Sequence, residues 1–197
     1  MTTTTIARSE LILGGQKSGK SRRAELLARQ WLAQSVEHRS VLIATAQPWD
    51  DEMQQRIARH QADRAVRVPG MQTVEEPLAL AEALRAHSAA HTLVVVDCLT
   101  LWLTNLLMPA DGAVSEGNKP LALMEPAQTA SLLIAIEQAA GPVVLVGNEI
   151  GLGVIPMGRE VRAFVDALGR LNQDVAAVCQ RVTLMAAGLP LTLKEIP

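Results

Sequence analysis

Aromatic side chains are scarce in this sequence: Trp31, Trp49, Trp102 and Phe164 are the full set, with no Tyr. So few rings cannot build the stacking platforms on which single-strand and RNA-binding modules rest. An excess of one charge is also missing. Lys and Arg number 18 against 20 Asp and Glu, a formal net charge of −2, so there is no positive field for a nucleic-acid backbone or an anionic membrane. The two cysteines, Cys98 and Cys179, stand far apart, forming neither a paired metal-ligand spacing nor a disulfide framework. They read as buried thiols in a reducing cytoplasm. Asp97 interrupts the longest apolar stretch before it could span a bilayer, and the Thr-rich residues 1–10 lack the apolar core of an export signal. Neither a nucleic-acid partner nor membrane insertion is expected.

What is present suits one globular domain. The chain has 197 residues, 49% apolar and 19% charged, enough for a sizeable core. Residues 1–9 are expected to be a flexible N-terminus and 10–197 the domain. Apolar runs at 10–13, 40–46, 92–96 and 143–146 read as strands. Between them lie helical patterns: Ala24, Leu27, Ala28 and Trp31; a helix capped at Asp50-Asp51 and running to Arg64; a helix over 75–90; apolar 99–108; and 131–140. Residues 109–125 form a Gly- and Pro-containing loop, a candidate lid. Val161, Phe164, Val165, Leu168, Leu171 and Val175 stripe a long helix, and short strands near 182–185 and 191–193 finish the chain. Continuous apolar strands alternating with helices predict an α/β fold, a mostly parallel sheet with helices on both faces.

Residues 14–21 read GGQKSGKS, matching G-x-x-x-x-G-K-[ST] after a strand and at the start of a helix, where a phosphate-binding loop belongs. Gly14 and Gly19 let backbone N–H groups turn toward phosphate oxygens at a helix N-terminus that favours anions. Lys20 can reach the β/γ-phosphates and Ser21 can ligate Mg²⁺. Asp97, at the end of an apolar strand, has the placement of a second Mg²⁺ partner. It could instead be the N-cap of the segment that follows.

A phosphate loop does not name a function. No N-K-x-D guanine motif follows the later strands: 143–146 lead into Gly147-Asn148-Glu149. Arg56, His60 and Arg64 are spaced by four and line one helical face. That row can grip phosphate through its guanidiniums and offer an imidazole nitrogen as nucleophile, or it can be a solvated polar face. The glycine-rich residues 148–156 can contact a ligand or simply connect. Asn172 reads as a buried amide capping nearby backbone, and Arg162, Asp166 and Arg170 as a surface ion-pair ladder.

Together these blocks resemble one family. They are residues 14–21; Asp51-Glu52-Met53 with Arg56-Ile57 and His60; Thr73-Val74-Glu75; Asp97-Cys98-Leu99-Thr100-Leu101-Trp102 with Asn105-Leu106-Leu107; Asn148-Glu149-x-Gly151-x-Gly153 with Pro156; Arg162-x-Phe164, Asp166, Gly169 and Asn172-Gln173; and Ala187-Gly188-x-Pro190. The order and content are similar to the bifunctional adenosylcobinamide kinase/adenosylcobinamide-phosphate guanylyltransferases of cobalamin nucleotide-loop assembly. The resemblance implies a single RecA-like P-loop domain, a cytoplasmic homotrimer, Mg²⁺, ATP and GTP as substrates, and adenosylcobinamide and its phosphate as partners. It implies that His60 is guanylylated and that Lys20 is catalytic. It assigns nucleotide binding to Gly14, Gly15, Gln16, Lys17, Ser18, Gly19, Lys20, Ser21, Thr45, Ala46, Gln47, Arg56, Gln61, Arg64, Glu75 and Asp97, with Ser21 and Asp97 on the metal. A kinase of another small metabolite, with His60 idle, is the alternative. The family usually continues H-R-x-x-R-P after its histidine, whereas this chain reads His60-Gln61-Ala62-Asp63-Arg64-Ala65.

Overall fold

The computed structural model describes residues 5–48, 50–108, 125–154 and 156–196. The candidate lid at 109–125 lies outside the described residues except for its last member, and so does the side chain of Arg56. The chain order is β1 (Ser9–Gly14), α1 (Lys20–Gln34), β2 (Arg39–Ala44), α2 (Asp51–Arg67), β3 (Gln72–Glu75), α3 (Leu80–His87) and β4 (Thr92–Asp97). It continues through α4 (Leu99–Leu107), α5 (Glu125–Glu137), β5 (Val143–Val146), α6 (Arg159–Val178), β6 (Arg181–Ala186) and β7 (Leu189–Glu195).

The strands form one sheet of order β3-β2-β4-β5-β1-β6-β7. All neighbours are parallel except β6 and β7, which pair antiparallel. This is the expected α/β architecture, a mostly parallel sheet with helices on both faces. Because both faces are covered, the central strands are apolar throughout. Val94 and Val96 of β4 join the core beneath α3, α4, α5 and α6. Leu93 and Val95 join the core beneath α1, where Ala24, Leu27 and Ala28 pack. The parallel strands all point their carboxyl ends to one edge, so the turns after β1, β2 and β4 meet there.

The sequence pattern missed some boundaries. The helix expected over 75–90 is a strand that ends at Glu75, followed by the shorter α3. The strand expected over 40–46 stops at Ala44, and the helix expected over 131–140 runs instead from Glu125 to Glu137. Residues 5–9, expected to be flexible, are tied down. The backbone N–H of Arg8 donates to Gln180 Oε1 at 2.8 Å, Arg181 donates to the Thr5 carbonyl at 2.6 Å, and Ala7 is buried. Among the described residues, no helix is long and apolar enough to cross a membrane.

Candidate active site

Gly14 closes β1 with φ 153°, and Gly19 caps α1 in the left-handed region with φ 100°. A Cβ on Gly14 would stand 2.5 Å from the Met185 carbonyl oxygen and 2.6 Å from Ser18 Oγ, so only glycine fits this approach. The loop is braced from behind, since the Gly188 N–H donates to the Ser18 carbonyl at 3.0 Å. No side chain caps α1, and its first turn carries no acid. The orphan N–H groups of that turn are therefore open to an anion. α2 is built the opposite way: the Asp50 carboxylate accepts from the Met53 N–H at 2.7 Å, and Asp51 and Glu52 sit in the first turn. Lys20 is buried, with Nζ 2.6 Å from the Gly15 carbonyl and 3.5 Å from Ser18 Oγ. This folds the cation into the cradle it would share with phosphate.

Asp97 ends β4, and the Ser21 hydroxyl is close enough to act on its carboxylate. Burial raises its pKa above the ordinary carboxylate value; Ser21, His60, Arg64 and Lys20 all pull the other way. The N-cap of α4 is Cys98, with no side-chain cap bond, so Asp97 is not acting as a helix cap. One carboxylate thus has around it the loop's serine and lysine and, from α2, the histidine and an arginine. Burial lowers the pKa of Arg64, against the opposing charges of Glu25 and Asp97.

The other candidates fall around this point. Gln61 donates to Glu75 Oε1 at 3.3 Å and Arg64 to Thr73 Oγ1 at 3.3 Å, tying α2 to β3. Ala46 and Gln47 follow β2 and are half-buried. Thr45 is fully buried: its Oγ1 donates to the Cys98 carbonyl at 2.7 Å and accepts the Cys98 N–H at 2.9 Å. Its hydroxyl holds the turn after Asp97 in place. Asn105 supports the same corner, donating to the Thr45 carbonyl at 2.8 Å and the Pro77 carbonyl at 3.0 Å. The root of the loop after β5 is pinned to the phosphate loop, as the Glu149 N–H donates to the Gly14 carbonyl at 3.1 Å. Asn172 donates to the Asn148 carbonyl at 3.1 Å, the backbone cap its pattern suggested. Arg162 donates to the Pro156 carbonyl at 3.0 Å, and among the described residues it forms no ion pair with Asp166. Burial pushes the Cys98 and Cys179 thiols up to about 12, so they are inert at neutral pH.

Sequence reasoning missed a contact next to this site. Glu25, five residues after Lys20 on α1, is buried and accepts from Arg67 at 3.0 Å. The buried acid at a helical position was the available signal, but its partner is 42 residues away.

Residues 10–193 match the family described as cobinamide kinase / cobinamide phosphate guanyltransferase. The chain belongs to this family of bifunctional enzymes. It is 46% identical over 189 residues to "Bifunctional adenosylcobalamin biosynthesis protein CobP" of Pseudomonas aeruginosa, covering 95% of this chain and 98% of the relative. Two relatives named "Bifunctional adenosylcobalamin biosynthesis protein CobU" are similar: 36% identity for Escherichia coli and 35% for Salmonella typhimurium, each covering 93% of this chain and 98% of the relative. Two solved structures share the fold alone. One, described as a structural study of PH0250 from Pyrococcus horikoshii, has TM-score 0.51 and 10% identity and covers 98% of this chain and 89% of that one. The other, flagellar accessory protein FlaH of Methanocaldococcus jannaschii, has TM-score 0.50 and 12% identity and covers 96% and 80%.

Proposed function

We propose that this chain phosphorylates the aminopropanol hydroxyl of adenosylcobinamide with ATP or GTP, then transfers GMP from GTP through a guanylyl-His60 intermediate to give adenosylcobinamide-GDP. The observation that supports this reading is the surroundings of Asp97, where His60 and Arg64 of α2 act electrostatically on the same carboxylate as Ser21 and Lys20 of the phosphate loop. One phosphate grip then serves both reactions. The loop and Lys20 hold the β- and γ-phosphates, so the γ-phosphoryl faces an incoming hydroxyl, or the same two phosphates leave as pyrophosphate. In the second reaction an imidazole nitrogen of His60 attacks the α-phosphorus. A P–N bond forms, the bond to the bridging oxygen breaks, and the ring proton passes to solvent. An oxygen of the corrinoid phosphate then displaces the imidazole and restores His60.

Mg²⁺ fits the residues present. Ser21 and Asp97 are oxygen donors brought close to each other, and among the described residues no cluster of three His, Cys, Asp or Glu forms a cage. Such a pair suits a cation completed by phosphates and water, which would neutralise charge between the β- and γ-oxygens. A homotrimer in the cytoplasm completes the reading. The trimer's support is the apolar side chains left open at Leu152, Val154 and Met157 and along Leu189, Leu191 and Leu193, which neighbouring subunits would cover. Light scattering during gel filtration tests the trimer.

The decisive experiment uses GTP labelled at the α- or the γ-phosphate, with Mg²⁺ and no corrinoid. The α-label should stay on the protein, released by acid and stable to base, and the γ-label should not. His60→Ala should abolish labelling and spare part of the kinase activity. Labelling that survives in His60→Ala would move the nucleophile elsewhere.

A further inference from the structure

The helix that carries His60 has almost no core of its own. α2 spans 17 residues, and none of those described is buried; Met53, Ile57 and Arg64 are only half-covered. A helix without a packed face is positioned by its polar tethers. Two of these, Gln61 to Glu75 and Arg64 to Thr73, are exposed bonds of 3.3 Å to β3. The third differs in kind. Arg67 Nη1 meets Glu25 Oε2 at 3.0 Å, and the Glu25 side chain is only 9% exposed. Asp63, one turn earlier, holds the other Arg67 nitrogen at 3.0 Å and aims the guanidinium. Glu25 belongs to α1, the helix that begins with Lys20 and Ser21. The next residue, Val68, is buried against the α1 side of the core, so the end of α2 is a fixed point. His60 lies seven residues back, about 10 Å along the axis, so a tilt of about 10° there moves the imidazole by about 2 Å.

We propose that the Glu25–Arg67 pair is a positioning latch that sets where His60 stands over the phosphate loop, acting on guanylyl transfer and not on the kinase step. The inference rests on the guanylyl-His60 reading. In-line attack tolerates little displacement, and an error of 1 Å costs on the order of 10²-fold in rate. Transfer of the γ-phosphoryl to a hydroxyl uses the loop, Lys20 and Asp97, none of which α2 carries.

The test compares single-turnover α-labelling of the whole protein with phosphorylation of adenosylcobinamide, in wild type, Glu25→Gln, Arg67→Met, the double variant and Arg67→Lys. Arg67 is half-exposed and Glu25 is buried, so the double variant, which leaves neither charge without its partner, serves where a single variant is destabilised. Glu25→Gln and Arg67→Met should each slow labelling by about 10-fold or more, with the double variant no slower than the singles. Kinase rates should stay within about threefold, and Arg67→Lys, which restores a charge to the pair, should recover most of the labelling. Wild-type labelling in the variants, or an equal fall in both activities, overturns the latch. If wild type itself takes no α-label, the His60 reading fails and the latch with it.

Discussion

If Asp97 ligates Mg²⁺ as proposed, a proton and a cation compete for its carboxylate. Its pKa is raised by burial, and the folded protein binds that proton more tightly than the unfolded chain does. Between the ordinary carboxylate value and the raised one, apo stability therefore falls as pH rises. In the same window a cation must displace the proton. The Mg²⁺ concentration for half-maximal kinase activity should climb as pH falls toward the raised value, at a higher pH than an exposed carboxylate would give. Asp97→Asn should raise the Mg²⁺ requirement at all pH values and flatten this dependence; an unchanged Mg²⁺ titration would remove Asp97 from the metal. Lys20→Ala should lower both phosphoryl and guanylyl transfer by orders of magnitude, because charge and positioning supply most of this catalysis. Retention of either activity near wild type would contradict a shared grip. Lys20, Ser21 and Gly14 were legible in the sequence because the loop is a local object, whose spacing encodes its own backbone turns. Thr45 was assigned to nucleotide, yet its hydroxyl lies between two backbone groups of Cys98. No local pattern carries a contact between residues 53 positions apart.

At the scale of elements, signals written on neighbouring residues were read well. Asp50 caps α2 as its spacing suggested, and of the stripe from Val161 to Val175, Leu168, Leu171 and Val175 form the buried face of α6 while Val161 is exposed. The stretch after α2 was misread because β3 is a four-residue strand with no buried residue, at the sheet's edge. Its pairing with β2 comes from the sheet and not from an apolar run. What starts α3 is also unusual. The Glu76 carboxylate accepts the N–H of Leu78 at 2.9 Å and of Ala79 at 2.8 Å, bracing the turn just before α3, whose N-cap Ala79 makes no side-chain cap bond. Removing the acceptor of such local hydrogen bonds costs about 0.5–1.5 kcal/mol. Glu76→Ala should lower urea stability by that amount, and Glu76→Asp should lose part of it through its shorter reach. An unchanged midpoint in Glu76→Ala would mean that water replaces the carboxylate without loss.

For the whole molecule, the sequence revealed layers but not order. Alternating strands and helices fix an α/β sandwich, whereas placing β5 between β4 and β1 depends on packing that single segments do not record. The sheet also hides a charge cluster within an apolar reading. Glu10 opens a run taken as apolar, and its side chain is only 1% exposed. Its Oε1 accepts from Arg23 Nε at 2.9 Å and Nη2 at 2.8 Å and from Thr183 Oγ1 at 2.8 Å, while Arg181 stands 3.4 Å from Oε2. These bonds join β1, α1 and β6 at one point. Taking away one partner of a buried pair leaves the others charged and desolvated, which costs about 3–5 kcal/mol. Glu10→Ala should therefore lose that much in urea unfolding with the m-value unchanged, since the surface exposed on unfolding stays the same. Replacing the acid and its partners together with apolar residues of similar volume, Glu10→Leu with Arg23→Met and Arg181→Met, should recover most of the loss, because no uncompensated charge is then left inside. A cost under about 1 kcal/mol for Glu10→Ala would put the cluster in the class of solvated surface pairs. A triple variant no better than Glu10→Ala would mean that the hydrogen bonds, and not the charge balance, hold the three elements together.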